Sequence, residues 1–134
     1  MIAHLAILIC LAACGGTMTK QETATVTVAG RPLAVTAADG EAMRLALIDH
    51  LAASPDPALR DEAARLHHAT PRIDDDQLRI GPWVFDARDR GPVLTWDQHE
   101  TPAAVVYQVA YLSGVPGGTW RVVKIGEEIH HLEP

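Results

Sequence analysis

Beyond residue 22 the apolar residues recur either with helical spacing or at every second position. The places where one spacing gives way to the other locate the predicted helices and strands. Residues 23–28 and 33–36 are rich in β-forming side chains and flank a Gly/Pro turn at residues 30–32, which predicts a short hairpin. Two segments with helical spacing follow. From Leu78 onward the apolar positions recur at every second residue, which is typical of strands.

The first helix is predicted over residues 39–53. Asp39 can cap its amino end, and its apolar side chains recur at intervals of four on one face. These are Met43, Leu47 and Leu51.

A second helix is predicted to begin at Asp56, because an N-cap Asp followed by Pro57 in the first helical position is a strong start signal. Thr70-Pro71 is predicted to end it. Residues 72–77 are interpreted as a polar connector.

The parity of the apolar positions shifts once in the region of strands. Leu78 and Ile80 occupy even-numbered positions, whereas Trp83 and Phe85 occupy odd-numbered ones. A β-bulge or a break at residues 81–82 would let both sets face one core. Further strands are predicted around Leu94 and over residues 103–112, 119–125 and 129–132, the first range being a central strand because both its faces are apolar.

Helices followed by an antiparallel meander predict an α+β fold, with one or two helices packed on a mostly antiparallel sheet of four to six strands. Trp83, Trp96 and Trp120 all fall in predicted strands and are expected to fill the layer between helices and sheet. Residues 105–109 and 118–123 resemble the final hairpin of cystatin-like and nuclear-transport-factor-like domains. That resemblance implies a curved sheet around a helix and carries no functional motif.

Composition limits the class of protein. A chain of 134 residues with 48% hydrophobic and 21% charged residues is long enough for one globular domain and excludes a disordered or collagen-like chain. Eleven Lys and Arg against seventeen Asp and Glu give a net charge of −6, which disfavours nucleic acid as a partner.

The amino-terminal segment has the pattern of an export signal. Residues 2–13 are apolar over a length that fits the ~7–15-residue core of a secretory signal and falls short of the ~20 residues of a membrane-spanning helix. They end in Leu11-Ala12-Ala13-Cys14, which resembles the lipobox of bacterial lipoproteins. The alternatives are an apolar segment buried in the fold, or a disulfide joining the two cysteines of the chain.

The lipoprotein resemblance implies a membrane anchor. In that family the Cys thiol, here that of Cys14, receives a diacylglyceryl group, the preceding peptide is removed, and the new amino terminus is acylated. The domains would then be a signal peptide (1–13), a tether (14–22) and one α+β domain (23–134). In contrast to the family's usual leader, residues 1–13 contain no Lys or Arg.

The residues after Cys14 indicate how the domain would be held and where. They are small and polar, which predicts a flexible tether with an end-to-end distance of roughly 15–18 Å. Inner-membrane lipoproteins of enterobacteria usually carry Asp in the position of Gly15. The resemblance therefore implies the periplasmic face of the cell envelope, and the outer membrane where there is one.

Histidines are the first candidates for metal chemistry. Adjacent residues on a helix or strand point in different directions, so His67-His68 and His130-His131 are not expected to give two ligands to one ion. His99 precedes a Glu, but Ala103 stands where a zinc-binding helix would need a second His. The sequence predicts no metal site and no cofactor.

Charged runs are interpreted as solvated surface. Residues 74–76 are all Asp, but they lack the Gly and Glu positions of a calcium-binding EF-hand loop. Arg88, Arg90 and Arg121 lie near turns and are expected to form a polar rim rather than an anion site.

The sequence thus favours a lipid-anchored envelope protein that is a binding or accessory module with no catalytic residue. Its partner would be an envelope protein, a cell-wall component or a small ligand. The alternative is a small hydrolase or lyase that uses His99 with Asp97 or Glu100, although no nucleophile motif accompanies them. A purely structural role is the third hypothesis.

Overall fold

The chain forms a hairpin, two helices and then six strands, in that order. It is seen in a computed structural model that describes residues 22–132, without the side chains of residues 98 and 99. The hairpin consists of β1 (Ala24–Val28) and β2 (Arg31–Val35), and the helices are α1 (Ala37–Ala52) and α2 (Pro57–Leu66). The remaining strands are β3 (Arg72–Asp74), β4 (Gln77–Ile80), β5 (Trp83–Arg88), β6 (Gly91–Glu100), β7 (Ala104–Gly114) and β8 (Trp120–His131).

Strands β3 to β8 form one antiparallel sheet in which each strand pairs with the next in sequence. The two helices pack on one face of this meander, so the predicted α+β class is confirmed. The prediction of two separate final strands is wrong. Gly126 and Glu128 pair with Val109 and Tyr107 in an unbroken ladder, which makes β8 continuous.

Two tight turns explain the differences from the predicted boundaries. Ala29 and Gly30 both have positive φ, at 51° and 78°, the requirement of a type I′ hairpin turn, so β2 begins at Arg31 rather than after residue 32. Asp75 and Asp76 also have positive φ, at 51° and 61°. The predicted polar connector is therefore a second hairpin, in which Asp residues occupy the left-handed conformation that their side chains tolerate.

The start of α1 is fixed by a capping box. Thr36, not Asp39 as predicted, is the N-cap: its hydroxyl accepts from the Asp39 amide at 3.3 Å, while one carboxylate oxygen of Asp39 accepts from the Thr36 amide at 2.9 Å. The other oxygen accepts from the Gly117 amide at 2.8 Å and from Nε1 of Trp120 at 3.1 Å. Asp39 thus joins the helix to the β7–β8 turn.

Helix α2 begins as predicted, with Asp56 as N-cap and Pro57 in the first turn. It ends at Leu66, before the predicted stop, where Nη1 of Arg44 in α1 donates to the Leu66 carbonyl at 2.9 Å. Within α2, the buried carboxylate of Glu62 accepts from Nε1 of Trp83 at 2.9 Å. Both helices are therefore tied by polar contacts as well as by apolar packing.

The core lies between the helices and the inner face of the sheet, defined here as the face in contact with them. Ile80 lies opposite Trp83 across the turn at residues 81–82, so the shift in parity is resolved by a break between two strands. Trp83 and Trp120 are buried and Trp96 is partly buried against the same core, as predicted. The largest fully buried core side chains include Trp83, Met43, Leu47, Leu51, Leu66, Leu78, Ile80 and Leu94.

The sheet ends at β8, whose outer edge has no neighbouring strand in the described sheet. The register shifts there, because Lys124 pairs with Tyr111 while Val122 pairs with Leu112. Val123 is therefore an extra residue in a β-bulge, and its side chain is 57% exposed.

The hairpin turn gives a first prediction. Ala29 is in a left-handed backbone conformation that is unfavourable for Ala and that Asn adopts more easily. Ala29→Asn should therefore raise the free energy of unfolding by about 0.5–1 kcal/mol. Urea denaturation would measure the change. Ala34→Asn, in β2 of the same hairpin, is the control and should not stabilise the protein. An unchanged or lowered stability of Ala29→Asn would contradict the turn geometry.

The capping carboxylate gives a second prediction. Asp39→Ala leaves the buried Nε1 of Trp120 and the amide of Gly117 without their acceptor and should cost about 3 kcal/mol. Burial opposes ionisation, but the hydrogen bonds from Thr36, Gly117 and Trp120 outweigh it and hold the pKa of Asp39 below its ordinary value of 3.8.

The charge of Asp39 therefore contributes its full stabilisation above pH 3.8, the ordinary pKa of an unfolded Asp. This stabilisation is lost as the pH falls through the lower pKa that Asp39 has in the folded protein. The difference in stability between the wild type and Asp39→Asn should shrink over that acid range in urea titrations at a series of pH values. A difference that stays constant with pH would show that the charge is not responsible.

Candidate functional site

The outer face of the sheet, opposite the helices, carries a network of charged side chains. Nε of Arg88 on β5 lies 3.3 and 3.1 Å from the two carboxylate oxygens of Glu128 on β8, and Nη2 lies 3.2 Å from one of them. Nη1 of Arg88 donates to Asp86 at 3.1 Å. Nε2 of His130 is 3.1 Å from Oε1 of Glu128, which Arg88 also contacts. Arg88 and Glu128 are only about a quarter exposed, at 26% and 24%.

The Arg88–Glu128 contact reveals the curvature of the sheet. Three strand spacings separate β5 from β8, which is about 14 Å across a flat sheet, and the two residues are also displaced along their strands. Direct contact therefore requires the sheet to coil so that its outer face is concave. Val93 and Val109 lie on this face and are fully buried, as expected where a sheet folds over itself.

Two tyrosines on β7 lie beside the network. Tyr111 pairs with Lys124, whose ammonium is 5.0 Å from the centre of the ring, within cation–π distance. Tyr107 lies opposite Glu128 and meets the His130 ring edge-on, with 5.0 Å between ring centres. The concave face thus combines aromatic surface with paired charges.

A groove opens where the turn of the β1–β2 hairpin meets this face. Its volume is about 640 Å³, within the ~300–1,000 Å³ typical of small-molecule sites. It is lined by Thr27, Ala29, Gly30, Ala87, Arg88, Asp89, Arg90, Tyr111 and Glu128. We call this the hairpin groove.

The two central charges of the hairpin groove are held ionised. Hydrogen bonds from Arg88 lower the pKa of Glu128 despite its partial burial. Burial disfavours the charged form of Arg88, but its hydrogen bonds to Glu128 and Asp86 outweigh this and raise its pKa. Near neutral pH the pair therefore offers fixed donors and acceptors, and neither group is poised to exchange a proton.

A second groove, of about 630 Å³, lies on the helix side between the end of α1 and strands β7 and β8. Asp49 and His50 line it from α1, and Gln108 and Glu127 from the sheet. Nε2 of Gln108 donates to Glu127 at 3.3 Å. Among described residues, the carboxylates of this groove, Asp49 and Glu127, are accompanied by no Lys or Arg, and no Phe, Tyr or Trp lines it.

The structure places the residues of the hydrolase hypothesis at the end of β6. Asp97 and Glu100 are both exposed, and they share the outer face because the register shifts between Asp97 and His99. The side chain of His99 lies outside the described part of the chain. So does Cys14, together with the predicted signal and most of the predicted tether.

The other sequence candidates are dispersed. His67 and His68 follow the end of α2 and are exposed, and among described residues no cluster of three or more His, Cys, Asp or Glu could hold a metal ion. Arg88 and Arg90 do come together in the hairpin groove. Arg121 lines a separate depression beside Trp120. The three arginines therefore do not lie together in one place.

Sequence reasoning missed Tyr107, Tyr111, Lys124 and Glu128 as one surface. The available signal was their alternation with apolar residues along the last two strands, which indicates one shared face once the register is known. The register itself depends on the bulge at Val123, which the sequence does not reveal.

Comparisons with protein-family models, with curated proteins and with solved structures found no match. Within residues 22–132, neither helix has the length and hydropathy required to cross a membrane. The interpretation of function therefore depends on the geometry of the chain itself.

The ion pair gives a third prediction. Arg88→Met removes the donors that keep Glu128 ionised, so the pKa of Glu128 should rise toward its ordinary value of 4.5. In the wild type the lowered pKa adds stability above pH 4.5 that is lost as the pH falls through the folded-state value. Carboxyl ¹³C NMR titration would measure the shift. Arg90→Met removes another guanidinium from the same groove and should have a smaller effect, whereas equal effects would refute the specific role of Arg88.

Proposed function

We propose that this protein is a lipid-anchored binding module of the cell envelope, without catalytic activity, and that it binds its ligand in the hairpin groove. The observation that carries the binding role is the Arg88–Glu128 pair, which is fixed across the concave face beside Tyr111. Side chains already held in place lose little entropy when a ligand binds, which favours recognition.

The chemistry of this pair supports binding over catalysis. A general acid or base works best with a pKa near the working pH, whereas the pKa of Glu128 is lowered and that of Arg88 is raised. Both groups therefore keep their charge at neutral pH. They can donate and accept hydrogen bonds but are poorly suited to transfer protons.

The anchoring half of the proposal is supported by the sequence motif that ends in Cys14. Confinement of the domain to a membrane surface raises its effective concentration toward partners on the same surface, so moderate affinity in the groove would suffice.

The anchor gives a fourth prediction. The protein recovered from cell membranes should have the intact mass of residues 14–134 plus acyl chains, and Cys14→Ala should abolish both the acyl mass and the membrane attachment. Cys10→Ala is the matched control, because that residue lies within the segment that would be removed, and it should leave both unchanged. An unprocessed chain of full length in the soluble fraction would refute the anchor.

A further inference from the structure

The charges lining the hairpin groove balance. Arg88 and Arg90 contribute the positive charges, and Asp89 and Glu128 the negative ones. The groove therefore has no excess of either sign, although the chain as a whole has a net charge of −6. A strongly charged ligand would meet a like charge beside every opposite one, so the groove favours a neutral ligand.

The groove is nevertheless dense in fixed donors and acceptors. The guanidinium of Arg88 is held by Glu128 and Asp86, and these contacts leave both groups partly exposed toward the groove. Thr27, Ala29 and Gly30 of the hairpin also line the groove, so a hydroxyl-bearing residue and the turn itself contribute to it. A ligand that fits must carry several hydrogen-bonding groups, since buried polar groups left without partners cost binding energy.

Tyr111 adds an aromatic surface to this polar groove. A Cβ built at Gly126 would lie 3.7 Å from Cε2 of Tyr111, so the ring lies beside β8 at ordinary contact distance. The ammonium of Lys124 lies over the same ring, 5.0 Å from its centre, and Lys124 is not among the residues that line the groove. A rigid ring is suited to an apolar face on the ligand.

From these properties we infer that the hairpin groove binds a neutral carbohydrate, with a sugar ring stacked on Tyr111 and its hydroxyls bonded to Arg88 and Glu128. A pyranose carries both features that the groove requires: hydroxyls that donate and accept, and a face of C–H groups. This inference rests on the binding role proposed above and names the ligand class for that same site.

The test is titration of the full-length protein with neutral tetrasaccharides (chitotetraose, cellotetraose and maltotetraose), followed by NMR chemical shifts and calorimetry. At least one should bind and shift the signals of Tyr111 and of residues in the hairpin turn. Tyr111→Ala should weaken that binding by about tenfold or more, while Tyr111→Phe retains most of it, because the ring and not the hydroxyl supplies the stacking surface. His50→Ala, in the helix-side groove, is the control and should bind normally.

Charged probes test the argument from charge balance. A hyaluronan tetrasaccharide, a chitosan tetramer and the uncharged peptide N-acetyl-tetra-alanine amide should each bind more weakly than the best neutral sugar. The inference is overturned if none of the neutral sugars binds, if Tyr111→Ala binds them as well as the wild type, or if a charged probe or the peptide binds best.

This experiment is independent of the anchor. It can be made with the lipidated protein in detergent or with an unprocessed soluble chain, whichever the Cys14 experiment yields. Sugar binding by a soluble chain would refute the lipid anchor and support the carbohydrate as ligand. A membrane-attached protein that binds none of the sugars would support the anchor and refute the carbohydrate as ligand.

Discussion

One buried carboxylate joins the separate parts of this fold. Asp39 accepts hydrogen bonds from the end of the hairpin through Thr36, from the β7–β8 turn through Gly117, and from β8 through Trp120. A buried charge is tolerable only when donors surround it, so these segments must meet at one place for any of them to be stable there. The amino end of α1 is therefore held against the β7–β8 turn, and apolar side chains fill the space between the helices and the sheet.

The coiling of the sheet connects the fold to the candidate site. With helices on the inner face, the outer face of a flat sheet would leave Val93 and Val109 in water, whereas the coiled sheet buries both. The same curvature brings Arg88 to Glu128 and gives the hairpin turn a concave surface to border. The coiling that buries the apolar residues of the outer face therefore also forms the groove.

The elements were easier to predict from the sequence than the site. Apolar spacing located both helices, and the α+β class and the burial of the three Trp residues followed from it. Spacing says nothing about how far a strand is displaced against its neighbour, and Arg88 and Glu128 are forty residues apart in sequence. Their contact depends on coiling and on a bulge, both of which arise from tertiary packing. Likewise, the sequence suggested no more than a capping role for Asp39, because its other partners, Gly117 and Trp120, are distant in the chain.

The bulge at Val123 also bears on how copies of this protein would behave beside one another. No strand within residues 22–132 pairs with the outer edge of β8, and an edge of this length can recruit another strand. The extra residue interrupts the regular spacing of the backbone groups at this edge, and Lys124 and Glu127 add exposed charges nearby. If the molecules share one membrane, they are crowded into two dimensions and collide far more often than in free solution. The irregular edge would then disfavour edge-to-edge pairing, so neighbouring molecules would stay monomeric and their concave faces would remain accessible.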